Sequence, residues 1–142
     1  MNVADAKRLT TEGARKIKNA AVKAAEKAGI PITVAVVDAG GHLLVLERMD
    51  GGKFHSVHSA TTKAVCAASN KRNTGSTGAV GQSLDMLHAL GLALAAGPER
   101  WTAMEGGCPV MAGSECIGGV GVAGGNWEFD EKIAREAVDA IK

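Results

Sequence analysis

Apolar residues recur at helical spacing from the start of the chain. Ala6, Leu9, Gly13, Ile17, Ala20, Ala24 and Ala28 share one side of a helix expected over residues 3–29, with Lys7, Glu12, Lys16, Lys23 and Glu26 on the others. Asn2 can cap its start, and Gly29 before Ile30-Pro31 stops it. The pattern then shortens to strands, expected at about 32–38 and 42–48 and joined at Gly40-Gly41, a pair suited to a tight hairpin. The first strand carries Ile32, Val34 and Val36 on one face and Ala35 and Val37 on the other. Both faces therefore need cover, from helices or from another subunit.

Helical spacing returns over about 55–70. Val57, Ala60, Ala64, Ala67 and Ala68 form a narrow face of small residues, and His55, His58, Ser59, Thr62 and Cys66 sit on the far side. NKRNTGSTGAVG at 70–81 is polar and glycine-rich, a loop by composition. Leu84, Leu87, Leu90, Gly91 and Leu94 mark a further helix ending near Gly97-Pro98. A second strand pair is expected at about 108–112 and 115–123, turning at Gly113-Ser114. The last helix opens around Asn126, with Glu128, Asp130 and Glu131 in its first turn, where the dipole favours anions. Its buried stripe is Ile133, Ala134, Ala137, Val138 and Ile141. The order α-β-β-α-α-β-β-α, with antiparallel hairpins and segregated helices, predicts an α+β fold. A chain of 142 residues suits one domain spanning 1–142.

Composition narrows the function classes. The net charge of +1, with no dense basic block, argues against general attraction to nucleic acid or to an anionic membrane. No window reaches transmembrane length, and MNVADAKRLT lacks the apolar run of a signal peptide, so a cytoplasmic protein is expected. Aromatic content is only 3%, which leaves Ala, Val, Leu and Gly to build the core. Cys66, Cys108 and Cys116 contain no CxxC pair and suit a reducing compartment. A turn at Gly113-Ser114 sets Cys116 against Met111 and Cys108 against Gly119, out of register for a disulfide, so free thiols are predicted.

Candidate chemistry falls in three places. The steps Gly106-Gly107 and Gly124-Gly125 are read as ligand contacts, because glycine in or beside a strand needs a reason and bare N–H groups can seat an anion. Gly119 and Gly121 are read as admitting the first helix at close range. Arg48 and Asp50 share a side of their extended segment, and Lys63 lies on the next helix, near its alanine face, where it needs a partner such as Asp38. These form either an ion-pair latch or a pocket in which Arg48 or Lys63 holds a carboxylate. Glu105 can act as an acid or base if buried, and Cys108 as a nucleophile if its pKa is lowered. His55 and His58, three apart on a helix, are geometrically compatible with a metal. His42 and His88 are further candidates for iron ligation, and the spacing does not choose among the four.

VAVVDAGGHLLVLERMDG, the SxxSATTKAVCAAS run ending at Ser69, EGGCPVMAGSECIGGVGVAGG and DEKIAREAV together resemble the GlcG/HbpS family of haem-binding and haem-degrading domains. The same domain forms the C-terminal part of PduO-type corrinoid adenosyltransferases, and GQSLDML is similar to a segment of OrfY-like members. The resemblance covers nearly the whole chain. It implies a profilin-like fold, with an antiparallel sheet flanked by helices, and a homo-oligomer that in some members is an octamer with ligand sites near subunit interfaces. It also implies haem, or a related tetrapyrrole, as ligand, with a propionate held by Arg or Lys and by backbone N–H groups. Some members sit in catabolic operons. A cofactor-independent lyase or isomerase acting on a small organic acid is the alternative, so whether the chain is an enzyme stays open. Iron ligation in some members involves a histidine of the first helix; this chain has none before His42.

Overall fold

The valine-rich strand organises everything around it. In the computed structural model, which describes residues 1–142, strand β1 (Thr33–Asp38) is buried from Thr33 to Val37. It pairs with β2 (Leu43–Arg48) on one side and β4 (Glu115–Ala123) on the other, and β3 (Gly107–Ala112) completes the sheet beyond β4. All pairings are antiparallel and the strand order is β2-β1-β4-β3. Helices α1 (Thr11–Ala28) and α4 (Trp127–Ala137) close one face over Ile17, Val34, Val36, Val120, Val122 and Ile133. Helix α2 (Ser56–Asn70) closes the other over Ala35 and Val37, and α3 (Met86–Ala96) lies outside with no buried residue. The α+β class and the α-β-β-α-α-β-β-α order are as expected, with one 3-10 turn at Val138–Ile141 added. No helix is long and apolar enough to cross a membrane.

Alternation along β4 divides its work between the two faces. Val120 and Val122 enter the α1/α4 core, whereas Gly119 and Gly121 lie under α2. A Cβ on Gly119 would run into the carbonyl oxygen of Ala64, and one on Gly121 into that of Ala60. The glycines therefore admit α2, not the first helix. The alanine face of α2 is the matching half of this contact, since small side chains let two backbones approach.

Four details depart from the sequence reading. Helix α1 starts at Thr11 instead of residue 3, because Thr10 rather than Asn2 caps it, accepting the Gly13 N–H at 3.0 Å. The Lys7 N–H donates to Glu115 Oε2 at 2.8 Å, which draws the preceding segment across the second hairpin. The buried stripe of α1 is Ala14, Ile17, Ala21 and Ala25, one step round from the expected line. In the first hairpin only Gly41 is left-handed (φ 84°), and Asp38 secures the turn by accepting the N–H groups of Gly40 and His42, each at 3.0 Å. In the second hairpin an irregularity between Val110 and Met111 sets Cys108 opposite Val120 rather than Gly119, while Cys116 does face Met111. All three cysteines are free.

Candidate functional site

The far side of α2 is the wall of a cavity. Segment 98–104 folds back beside the helix, and Cys66 Sγ approaches the Thr102 carbonyl at 3.5 Å. Between that segment, α2, the inner edge of α3 and the start of α4 lies a space of about 650 Å³, within the range of small-molecule sites. Its wall is mixed: Ala93, Ala103, Ala123 and Trp101 are apolar, and Ser59, Thr62 and Asn126 are polar. Lys53, His55, His58 and Trp127 also line it.

Lys63 and Asp130 lie at its base. They are 5% and 3% exposed, and Lys63 Nζ stands 3.4 Å from Asp130 Oδ2 and 2.9 Å from the Val122 carbonyl oxygen. The other Asp130 oxygen accepts the Gly125 N–H at 2.9 Å. Burial pushes the Lys63 amine pKa down, against the opposing pull of Asp130 and Glu105. Burial likewise pushes the Asp130 carboxyl up, although Lys63 and the Gly125 N–H pull it back. Burial thus shifts both groups in the direction of their neutral forms. The partner of Lys63 is Asp130 and not Asp38, which is spent on its own turn.

The glycine steps are shaped by this pair. Gly106, at φ 120°, could not carry a Cβ without meeting the Val122 oxygen at 2.5 Å and Lys63 Nζ at 3.0 Å. The Gly107 N–H donates to Thr74 Oγ1 at 2.9 Å, and the Gly107 carbonyl accepts from the Thr74 N–H at 3.0 Å. Gly106 and Gly107, read from the sequence as ligand contacts, are close-packed backbone outside the lining of this cavity. Gly124 and Gly125 do line the cavity, but the Gly125 N–H is already given to Asp130.

The remaining candidates separate. Arg48 and Asp50 are exposed at the end of β2 and in the turn after it, outside the lining of this cavity and without an ion-pair partner. Glu105 is half-buried and acts on Lys63 only as a nearby charge. Cys108 is across the sheet, in the α1/α4 core. Burial pushes its thiol up to about 11, the opposite of what a nucleophile needs. Iodoacetamide at pH 8 is therefore expected to alkylate Cys108 in the native protein at least ~100-fold more slowly than an ordinary exposed thiol, since about two pKa units separate their thiolate fractions. Peptide mapping of the alkylated chain reads this directly.

The histidines also divide by their partners. His42 Nδ1, in the first hairpin, lies 3.3 Å from Asp38 Oδ1, and His88 Nδ1, in the first turn of α3, lies 2.9 Å from Asp85; neither lines the cavity. The rings of His55 and His58 make no hydrogen bond to protein, and both line the cavity. His55 stands edge-on to Phe54, with ring centroids 5.8 Å apart. The structure thus leaves two imidazoles available at one mouth. A family model described as haem degrading protein HbpS-like matches residues 9–139.

The chain belongs to the HbpS-like family.

A 15.0 kDa protein of the dhaT-dhaS intergenic region of Citrobacter freundii is 31% identical over 133 residues, covering 94% of this chain and 92% of that protein. Among solved structures, ORFY of Klebsiella pneumoniae superposes with a TM-score of 0.84 at 33% identity, covering 99% of this chain and 95% of that one. A PduOC:haem complex superposes at 0.83 with 29% identity, covering 96% of each.

Sequence reading of this HbpS-like chain missed Asp130 as a site residue, and the signal was present. Asp130 shares the helix face of Ile133, Ala134 and Ala137, so its burial follows from the same period. Trp101, Thr102 and Ala103 carry no periodic pattern at all, and only the fold brings them beside α2.

Proposed function

We propose that the chain binds haem, or a related tetrapyrrole, in the cavity beside α2, as a homo-oligomer. The observation that carries this is the pair of unpartnered imidazoles, His55 and His58, at the mouth of a roomy cavity whose walls include two indoles. Imidazole nitrogen is a common axial donor to haem iron. The donor set fits: His55 or His58 would hold the iron, Trp101 and Trp127 offer apolar faces to a flat macrocycle, and the exposed Lys53 can meet a propionate. Lys63 cannot serve as that cation without leaving Asp130 buried and unpaired. When bound, haem supplies an iron centre that can exchange an electron or take a further ligand. Family membership and the haem in the PduOC complex support the reading. Free thiols at Cys66, Cys108 and Cys116 support a cytoplasmic setting.

A haemin titration followed by absorbance tests it. The expected result is a Soret shift saturating at a single haem per chain, weakened at least ~10-fold when His55 and His58 are both replaced by alanine. Non-saturating binding, or a double variant with an unchanged spectrum, would remove the proposal.

Self-association is supported by α3. The helix buries nothing, and its Met86, Leu87, Leu90 and Leu94 stand exposed. A patch of this kind marks an interaction surface. Burying each leucine is worth roughly 1.5–3 kcal/mol, so Leu90→Glu with Leu94→Glu is expected to turn a micromolar assembly into monomer in sedimentation velocity. A monomeric parent chain would count against the oligomer.

A further inference from the structure

We propose that Lys63 forms an imine with a small aldehyde or ketone admitted to the cavity, and that Asp130 exchanges the protons this requires. The proposal does not depend on haem.

Lys63 is placed as a reactive amine would be. A structural ammonium surrounded by acceptors uses all its N–H groups, whereas Lys63 makes two contacts, to the Val122 oxygen at 2.9 Å and to Asp130 at 3.4 Å. The second is long for a charge-assisted bond. The third position of the nitrogen has no protein partner, and both Lys63 and Asp130 line the cavity. Gly106 and Gly125 close around the pair without side chains of their own. Ala103 and Ala123 provide apolar cover close by, the setting in which a lysine becomes a nucleophile. Burial acts on the two groups in the same sense, toward amine and carboxylic acid.

The chemistry balances without any other reagent. A proton passes from Lys63 to Asp130, leaving a neutral amine. The nitrogen lone pair attacks the carbonyl carbon, forming the C–N bond, and the π pair moves to the oxygen, which takes a proton from Asp130. The carbinolamine nitrogen then returns a proton to the Asp130 carboxylate. The nitrogen lone pair forms the C=N bond, and the C–O bond breaks as its oxygen takes that proton and leaves as water. The iminium gives its remaining proton to Asp130. One amine and one carbonyl compound give one imine and one water.

The test uses the full chain purified without haem. Propanal is supplied with sodium cyanoborohydride, which reduces any imine to a stable propyl amine, and the modified lysines are mapped by mass spectrometry at pH 7 and pH 9. At pH 7, Lys63 is expected to be labelled at least ~10-fold faster than exposed lysines such as Lys23 and Lys27, since a free alkyl amine in water is almost wholly protonated at that pH. At pH 9 the exposed lysines should gain roughly 100-fold in free amine, and the preference for Lys63 should shrink. Lys63→Arg should lose the preferential label. Should that variant fail to fold, the map of the parent chain still decides. Labelling confined to exposed lysines and the N-terminal amine, or reaching Lys63 no faster than those lysines, would overturn the proposal. A chain that fails to bind haemin but labels at Lys63 would sink the haem reading and leave this one standing.

Discussion

Replacing Asp130 with alanine is expected to destabilise the fold by about 3–5 kcal/mol, because it strands the Lys63 ammonium among buried groups. Only the Val122 carbonyl would remain beside it, and the Gly125 N–H would lose its acceptor as well. A domain of this size has about 5–15 kcal/mol in total, so the urea midpoint should fall by about a fifth or more. Removing both charges is a different matter. Lys63→Met with Asp130→Leu leaves no buried ion, and such replacements are typically neutral or stabilising by about 1–4 kcal/mol. The double variant should therefore recover most of the loss, a coupling readable in a double-mutant cycle. An Asp130→Ala chain within about 1 kcal/mol of the parent would show that Lys63 is not held as an ion at all.

The pH dependence follows from the same burial. Lys63 has its folded pKa lowered, so its contribution is complete above its unfolded value of about 10.4 and is lost as pH falls through the folded value. Asp130 has its folded pKa raised, so its contribution is complete below about 3.9 and is lost as pH rises through the folded value. Both contributions are thus complete only outside those limits and diminish between them. A pair that adds little to stability there is better explained by chemistry in the cavity than by holding the sheet together. The double variant should fold well at pH 7 and lose the labelling expected at Lys63.

What was legible in the chain depended on whether a residue's role was periodic. The strands, α2 and the Asn126 cap of α4 follow from local spacing, and they appear where spacing puts them. The start of α1 does not, because a Lys7 N–H going to Glu115 is a contact 108 residues away. The site was harder for the same reason. Lys63 needed a partner on charge grounds, but the nearest acid in the pattern, Asp38, is consumed by the Gly40 and His42 N–H groups. Asp130 is 67 residues away and is brought to Lys63 by the path of β4 into α4. Arg48 and Asp50 stood out in sequence because charge follows a run of valines; in space they are a solvated strand end.

Gly121→Ala is expected to cost at least about 3 kcal/mol, the upper part of the range for overpacking. The added methyl would be driven into the Ala60 carbonyl oxygen, with the Ala64 nitrogen only 2.6 Å away. Backbone cannot rotate aside as a side chain can, so α2 would have to lift from β4. Ala60→Gly in the same chain removes a methyl but not that carbonyl, and should give no rescue. Gly113→Ala isolates the other cost of losing a glycine: its φ is 65° with nothing within 4 Å of the added carbon, and it should lose only about 1–2 kcal/mol. Urea denaturation of the three variants separates these effects, since a shifted midpoint with unchanged slope reports stability alone. A Gly121→Ala chain no less stable than Gly113→Ala would mean that α2 is not seated on bare backbone. The seating matters beyond stability, because Lys63 adjoins Ala64, the residue whose carbonyl lies over Gly119. The glycines of β4 thereby set the depth at which the Lys63 amine meets Asp130.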